Sequence, residues 1–402
     1  MELNIERIEL LLLIAAGVAL LARRLHLPYT VGLTLAGMVV ALAHISFEIE
    51  LTKELIFSAF LPPLIFEAAF HMPWRPLRAD AGVVLTLATL GVLLACGITT
   101  VGLHYLAAWP WAAAVLLGVL ISATDPVSVI ATFKEAGVSG RLRLLVESES
   151  LLNDGTVAVL YGVALAATTG GGGVSIGGVA GSFLITVVGG ILCGALTGGA
   201  VLLLAGRTAD HLIELTFSTI AAYGSFLLAE HWHLSGVLAT LTAGILIGNT
   251  GSLGAFSDRG REAVASFWEY IGFIANSLIF LLIGIRLVAQ DVVSELTVAL
   301  LVIALVIIGR AVAVYGCCAL FRRSMHRIAL NHQHVLFWGG LRGALALALA
   351  LGLPVDVPMR AAIISVTFAV VTFSVIVQGL TMTPFLRRLG EITPPHSPES
   401  NR

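Results

Sequence analysis

The stretch Glu149-Ser150-Leu151-Leu152-Asn153-Asp154-Gly155 lies inside an apolar run that extends from Leu144 to Ala166. A run of this length and composition is typical of a helix that crosses a membrane. A carboxylate at the centre of such a helix costs about 2.5–3.5 kcal/mol by insertion scales, so membrane proteins seldom keep one without a functional partner. We therefore interpret Asp154 first as an ion or proton site.

The composition of the whole chain agrees with a membrane setting. Of 402 residues, 58% are hydrophobic and 11% are charged, whereas charged residues make up about 25% of a soluble domain. The net charge of -2 gives no indication of a nucleic-acid partner. The four cysteines lie in apolar stretches, which argues against a disulfide framework or a cysteine metal site.

Hydrophobic stretches of ~20 residues, each long enough to cross ~30 Å of hydrocarbon, cover nearly the whole chain. The sequence predicts an all-α polytopic membrane protein with about 13 transmembrane helices. The predicted spans are 8–24, 28–46, 53–70, 81–107, 111–133, 143–168, 178–206, 212–230, 234–250, 264–288, 293–320, 333–353 and 359–386.

The distribution of lysine and arginine predicts the orientation of these spans. With the N-terminus outside, the external connections carry only Arg7, Lys53, Arg286 and Arg360, and the other basic residues of the connections fall on the cytoplasmic side. This asymmetry follows the positive-inside rule at alternate loops. We expect a multi-pass protein of the cell (inner) membrane with an external N-terminus and a short cytoplasmic tail at 391–402.

Few ionisable residues lie within the spans, and acids outnumber bases among them. They are Glu67, Asp125, Glu147, Glu149, Asp154, Arg310 and Arg342. The surplus of negative charge at membrane depth favours a pathway for cations. Glu214 and Glu269 lie near span ends, where we expect their carboxylates to reach the membrane surface.

Helical geometry separates the acids of the sixth span. Glu147, Ser150 and Asp154 are three and four residues apart and share one face, whereas Glu149 points about 140° away from Asp154. We therefore predict that Asp154 binds the ion. For Glu149 we predict a buried ion pair with one of the two membrane arginines, Arg310 or Arg342.

Two spans carry signals for an interruption of the helix. Thr124-Asp125-Pro126 places a proline beside an acid, and Gly339-Gly340-Leu341-Arg342-Gly343 is rich in glycine. The two spans run in opposite directions in the predicted topology, as expected for inverted repeats whose broken helices cross at the midplane. An unwound segment at Thr124 would offer free carbonyl oxygens to a cation, and the alternative is a proline kink without any role in ion binding.

These motifs together resemble those of the monovalent cation:proton antiporters, in particular bacterial and archaeal sodium/proton antiporters related to animal sodium/proton exchangers. The resemblance extends from the third span to the twelfth. The matching segments are Phe66-Glu67-Ala68, Ser122-Ala123-Thr124-Asp125-Pro126-Val127, Glu149-Ser150-Leu151-Leu152-Asn153-Asp154-Gly155 and Gly339-Gly340-Leu341-Arg342-Gly343-Ala344.

The resemblance implies a role for each matching residue. Asp154 would carry the cation, most often sodium, and the proton, with Ser150, the backbone of Thr124 and Glu67 as further ligands. Asn153 would be the neutral member of an asparagine-aspartate pair that steadies the unwound fifth span. Two ion pairs would be structural, one between Glu149 and Arg310 and the other between Asp125 and Arg342.

The resemblance also implies the organisation of the chain. A single transporter domain, 1–390, would comprise a dimerisation part at about 1–72 and 208–290, a core at about 80–168 and 293–389, and a linker helix at about 178–206. We expect a homodimer that contributes to pH homeostasis and needs no cofactor.

The expected mechanism is competition between a cation and a proton for one site. Burial favours the protonated, neutral form of a carboxyl group, so a proton competes with a small cation at Asp154. Because Asn153 stands where electrogenic relatives carry a second acid, we predict electroneutral one-for-one exchange of sodium, and also lithium. A potassium/proton antiporter is the nearest alternative.

Two other classes of protein could use acids in membrane spans. A cation channel could arrange them as a selectivity ring, but broken helices in an inverted pair favour alternating access. An intramembrane aspartyl protease could use Asp125 with Asp154, but the Gly-x-Gly-Asp and Tyr-Asp motifs of such enzymes are missing. The sequence therefore predicts a transporter rather than an enzyme.

Overall fold

The computed structural model describes residues 5–25, 27–43, 51–169, 176–249, 256–288, 290 and 294–392. The tail predicted at 391–402 lies outside these residues, apart from Glu391 and Ile392. Within the described ranges the regular structure is entirely helical. The helices are α1 Ile5–Leu25, α2 Tyr29–Leu42, α3 Leu55–Phe70, α4 Trp74–Ala107, α5 Trp111–Leu120, α6 Pro126–Ala136, α7 Arg141–Thr169, α8 Ile176–Ala205, α9 His211–His231, α10 Gly236–Asn249, α11 Asp258–Val288, α12 Leu296–Leu320, α13 Leu330–Trp338, α14 Ala344–Leu351 and α15 Arg360–Leu389.

The predicted membrane architecture is confirmed. In the described part of the chain, 7 helices are long and apolar enough to cross a membrane by length and composition. They are α4, α7, α8, α9, α11, α12 and α15. The spans predicted at 111–133 and 333–353 are each broken into two half-helices, α5 with α6 and α13 with α14. With each broken pair counted once, every predicted stretch corresponds to one helix or one pair of half-helices in the structure, and several of these helices are shorter than the seven named above.

Three helices contain a wider, π-helical turn that the sequence did not predict. These turns lie at Leu55–Phe60 in α3, Leu87–Gly91 in α4 and Ser374–Gln378 in α15. A π turn inserts one residue into the helix and re-aims the side chains on either side of it. In α15 the turn begins at Ser374, whose hydroxyl group faces the backbone of Arg342.

The helices pack in two groups around the broken spans. In one group α2 packs on α11, and α3 packs on α10 and α11; in the other α4 packs on α5, α7 and α12, and α14 packs on α15. Helix α9 packs on α11 and so joins the first group; helix α8 contacts α9 and α10 of this group and α7 of the second. Glycine permits close approach of the helices; for example, a Cβ atom at Gly37 of α2 would overlap the Leu281 carbonyl group of α11.

The expectation that Glu214 reaches the membrane surface is wrong. Its side chain is fully buried at the start of α9. The carboxylate accepts hydrogen bonds from the backbone N–H of Ser257, at 2.9 Å, and from the Ser257 hydroxyl group, at 3.0 Å. The chain before α11 thus folds over Glu214 and satisfies its charge with polar hydrogens.

Candidate ion-binding site

The two unwound segments, 121–125 and 339–343, cross and touch. The backbone N–H of Asp125 donates a hydrogen bond of 2.7 Å to the Leu341 carbonyl oxygen. The approach is so close that a Cβ atom at Gly343 would lie 2.5 Å from the Cβ atom of Asp125. Glycine at this position therefore lets the two backbones meet.

The buried side chain of Arg342 holds the crossing together through the main chain. Its Nη1 atom donates to the carbonyl oxygens of Ser122 and Ala123, each at 3.1 Å. Its backbone N–H donates to the Ser374 Oγ atom at 2.8 Å. A cation at the C-terminal end of the half-helix α5 also interacts favourably with the helix dipole. Arg342 is thus linked to the Asp125 segment by backbone carbonyls, whereas the resemblance implies a direct pair with the Asp125 carboxylate.

Asp125 stands at the start of the second half-helix, α6. Its Oδ2 atom accepts a hydrogen bond of 2.5 Å from the Ser128 hydroxyl group and one of 3.4 Å from the Ser128 backbone N–H. An acid that accepts from the third residue of a helix is an N-cap, and its charge is favourable beside the positive end of the helix dipole. The geometry gives Asp125 a structural task at the break in the helix.

Asp154 lies on α7 directly beside the crossing. It lines a small cavity of about 30 Å³ together with Thr124, Asp125, Gly343 and Ala344. The Oδ1 atom of Asp154, the Oγ1 atom of Thr124 and the Oγ atom of Ser150 are buried, and none has a hydrogen-bond partner among the described residues. Buried oxygen atoms without partners are rare in native proteins. A carboxylate and two hydroxyl groups of this kind suit a small cation or a water molecule.

Glu149 is directed to the opposite side of α7, where it pairs with Arg310 of α12. The pair is bidentate, with Nη1–Oε1 at 2.7 Å and Nη2–Oε2 at 2.9 Å. The Asn153 amide donates to the Glu149 Oε1 atom at 3.3 Å, and Arg310 also donates to the Leu336 carbonyl oxygen at 2.9 Å. Of the two arginines left open by helical geometry, the structure places Arg310 on Glu149, and it attaches Asn153 to this pair.

Glu67 and Glu147 lie away from the small cavity. Glu67 lies 3.7 Å from the Nδ1 atom of His71 and packs beside Gly272 of α11; it is not among the described residues that line the cavity of Asp154. Glu147 accepts a 2.5 Å hydrogen bond from Arg143 at the edge of a larger cavity of about 610 Å³. The structure therefore brings Asp154 and Thr124 together at the small cavity, places Ser150 one turn before Asp154 on α7, and leaves Glu67 apart.

Sequence reasoning missed Ser374, Gln378 and Ser128, which hold the two breaks in place. The Ser374 hydroxyl group accepts from Arg342 and donates to the Gln378 Oε1 atom at 2.5 Å. A single serine and a single glutamine are common in apolar spans, so only their four-residue spacing, which places both on one face of a helix, could have indicated a shared role. Ser128 could have been found from its position three residues after Asp125, which is the spacing of an N-cap.

Comparisons with known proteins agree with this geometry. The family described as "Sodium/hydrogen exchanger, transmembrane" matches residues 10–388. The low-affinity Na⁺/H⁺ antiporter NhaS1 of Synechocystis is 37% identical over 400 residues, which cover 96% of this chain and 75% of that protein. The Na⁺/H⁺ antiporter NhaH of Halobacillus aidingensis is 34% identical over 398 residues, which cover 96% of this chain and 97% of that protein.

A solved structure shares the fold. The sodium proton antiporter MjNhaP1 from Methanocaldococcus jannaschii superposes with a TM-score of 0.76 at 19% identity, covering 96% of this chain and 97% of that chain. The family match spans nearly the whole described chain, including both broken helices and the helix that carries Asp154. The chain therefore belongs to the sodium/hydrogen exchanger family of membrane transporters.

Proposed function

We propose that this protein exchanges sodium, and also lithium, for protons across the membrane, and that Asp154 carries both ions in turn. The observation that carries the proposal is a set of buried oxygens that lack hydrogen-bond partners among the described residues, on Asp154 and Thr124 at the crossing and on Ser150 one turn before Asp154. The names of the relatives NhaS1 and NhaH support sodium over potassium as the exchanged cation. The family consists of transporters, so we assign no enzymatic activity.

The exchange follows from the charge of a single carboxyl group. When Asp154 is ionised, a sodium ion held by its carboxylate and the nearby hydroxyl groups neutralises the site. When Asp154 is protonated, the site is neutral without sodium. A charge at membrane depth is costly, so the site can switch from one side of the membrane to the other only in one of these neutral forms. Sodium and protons therefore compete, and each full cycle exchanges one for the other.

The neighbouring acids support an electroneutral stoichiometry. Glu149 is held by Arg310, and Asp125 caps α6, so neither is free to carry a second ion. Asn153 is uncharged and donates to Glu149. One proton then moves for each sodium ion, and the membrane potential, which is worth about 2.3 kcal/mol per charge at 100 mV, does no net work on the cycle.

We assign the larger cavity of about 610 Å³ to the cytoplasmic entrance of this site. It is lined by His71, Asp80, Arg141, Arg143 and Glu147, which are polar or charged. Glu147 lies three residues before Ser150 and seven before Asp154, on the same face of α7. In the predicted topology, with an external N-terminus in the inner membrane, this end of α7 faces the cytoplasm.

The division of the helices supports movement of one part against the other. We propose that the group around α2, α3, α10 and α11 forms the dimerisation part of a homodimer. The group around α4, α7, α12 and α15 would form the mobile core, joined to it by α8. Glu67 lies on the first part, beside α11, so it would meet the ion only when the core moves toward it. In the cell the exchange would serve pH homeostasis.

Proton flux into proteoliposomes tests the proposal. Vesicles with an acidic lumen and a pH-sensitive dye are diluted into sodium, lithium or potassium chloride, with the voltage clamped by potassium and valinomycin in the sodium and lithium series. We expect sodium and lithium to raise the luminal pH at a rate that does not change with the clamped voltage. A rate that follows voltage would contradict the one-for-one stoichiometry, and an ionic current in place of proton flux would identify a channel.

A further inference from the structure

A second cavity, of about 540 Å³, lies between the two groups of helices and is almost entirely apolar. Residues of α4 and α7 form one side, and residues of α8 and α10 form the other. Trp74, Leu85 and Ile191 line it while remaining 48%, 50% and 42% exposed, so the cavity opens on the outer surface of the helices. In a membrane that surface meets hydrocarbon.

Nearly all polar side chains in the lining are already satisfied by the protein. Ser148 and Thr242 donate to the carbonyl oxygens of Leu144 and Leu238 in their own helices. The Asn249 amide donates to the Met72 and Ile245 carbonyl oxygens and accepts from the Trp74 backbone N–H. A water molecule needs about two to four polar partners, and this lining offers too few of them. The cavity therefore favours an apolar occupant.

The exception is Arg78, a charged residue that lines the cavity and whose side chain is exposed. Arg75 stands three residues earlier on the same face of α4, and both side chains are exposed. In the part of the chain that the structure describes, neither has a carboxylate partner. Two other arginines of the structure do have carboxylate partners, since Arg141 pairs with Asp80 and Arg143 pairs with Glu147. Two arginines that lack a carboxylate partner among the described residues, beside an apolar cavity, are complementary to an amphiphile with a negative head group.

We propose that this cavity binds an acyl chain of an anionic phospholipid, with its phosphate group held by Arg78 and Arg75. The apolar lining suits the acyl chain, the lateral opening admits a lipid from the surrounding leaflet, and the arginines suit its phosphate group. Leu151 separates this lipid from the ion site, because it lines both the apolar cavity and the small cavity of Asp154. The proposal concerns binding alone and does not depend on the exchange reaction.

Retention of lipid by the purified full-length protein tests the proposal. The protein in detergent is incubated with phosphatidylglycerol or phosphatidylcholine, and bound lipid is counted by native mass spectrometry. We expect one phosphatidylglycerol per chain, held more tightly than phosphatidylcholine. Arg78→Gln should weaken the binding of phosphatidylglycerol about fivefold, as expected for one arginine near a lipid head group, and Arg322→Gln on another loop should not.

A second pair of variants tests the acyl-chain part. Leu85→Trp narrows the opening of the cavity, whereas Leu93→Trp adds the same ring to an equally exposed position of α4 outside the lining. Both positions face hydrocarbon, so both variants should fold. We expect only Leu85→Trp to lose phosphatidylglycerol. Equal retention by the two tryptophan variants, equal binding by Arg78→Gln and the wild type, or no preference between the two lipids would overturn the proposal.

Discussion

The buried ion pair between Glu149 and Arg310 provides a quantitative test of the structure. The Glu149 side chain is fully buried and that of Arg310 nearly so, and the two charges meet through two hydrogen bonds of 2.7 and 2.9 Å. Replacing Arg310 by methionine leaves the carboxylate with the 3.3 Å hydrogen bond from Asn153 as its remaining described contact. Removing one partner of such a pair costs about 3–5 kcal/mol, because the other charge stays buried and uncompensated.

The double variant Glu149→Gln/Arg310→Met should recover most of that loss, since neither charge remains. Intrinsic tryptophan fluorescence during thermal unfolding in detergent would measure all variants of the double-mutant cycle. We expect the two single changes to be strongly non-additive, with a coupling of at least about 2 kcal/mol. The Arg143–Glu147 pair on the same helix is a matched control, because it is partly exposed and its single changes should cost about 1 kcal/mol or less. Additive effects at Glu149 and Arg310 would refute the assignment of this pair.

Three further predictions follow from the crossing and the ion site. Gly343→Ala should lower the free energy of unfolding by about 1–3 kcal/mol and slow exchange, because its Cβ atom would meet Asp125. Gly162→Ala is the control, since a Cβ atom there faces open space and should change neither quantity. Equal effects of the two changes in thermal unfolding and flux assays would contradict the close crossing. Ser150→Ala removes a buried hydroxyl group that has no hydrogen-bond partner in the described part of the chain, so it should change stability by less than about 0.5 kcal/mol. The same change should raise the sodium concentration for half-maximal exchange several-fold. Lowering the pH protonates Asp154 and weakens sodium binding. In the acidic range, the sodium concentration for half-maximal exchange should therefore rise about tenfold for each pH unit lost, while the maximal rate stays the same. A maximal rate that falls at a constant half-saturating sodium concentration would exclude competition.

The main features of the fold could be predicted from the sequence because the bilayer leaves few choices. Spans had to be ~20 apolar residues long, and the breaks had to occur where proline or glycine interrupts them. Both breaks occur where Thr124-Asp125-Pro126 and Gly339–Gly343 predicted them. The face of α7 that carries Ser150 and Asp154 followed from helical periodicity alone.

Contacts between distant segments were harder to predict, because no local pattern encodes them. Helical geometry could not choose between Arg310 and Arg342 as the partner of Glu149, since that depends on how α12 and the second break pack on α7, and only the family resemblance indicated Arg310. The contacts of Arg342 with two backbone carbonyls depend on the crossing itself. Glu214 was misjudged because its partner, Ser257, is distant in sequence and lies in a connection between helices.

Glu67 is the predicted ligand that the structure places apart from the cavity of Asp154. An acid in an apolar run gave little local information, and its neighbours in the structure are His71 and Gly272. Its proposed contact with the ion requires the core to move. That contact is therefore secondary to the role of Asp154, which rests on the geometry described for α7 and the crossing.

Sodium-driven proton flux through Asp154→Asn in proteoliposomes tests the role of Asp154 most directly. Asparagine keeps the size of the side chain and removes its charge and its titration. We predict that this variant purifies as a folded protein with an unfolding temperature at least equal to that of the wild type, because a buried charge has been removed. We also expect flux no faster than in protein-free vesicles at any pH. Sustained sodium-dependent flux through the folded variant would show that another residue carries the ions.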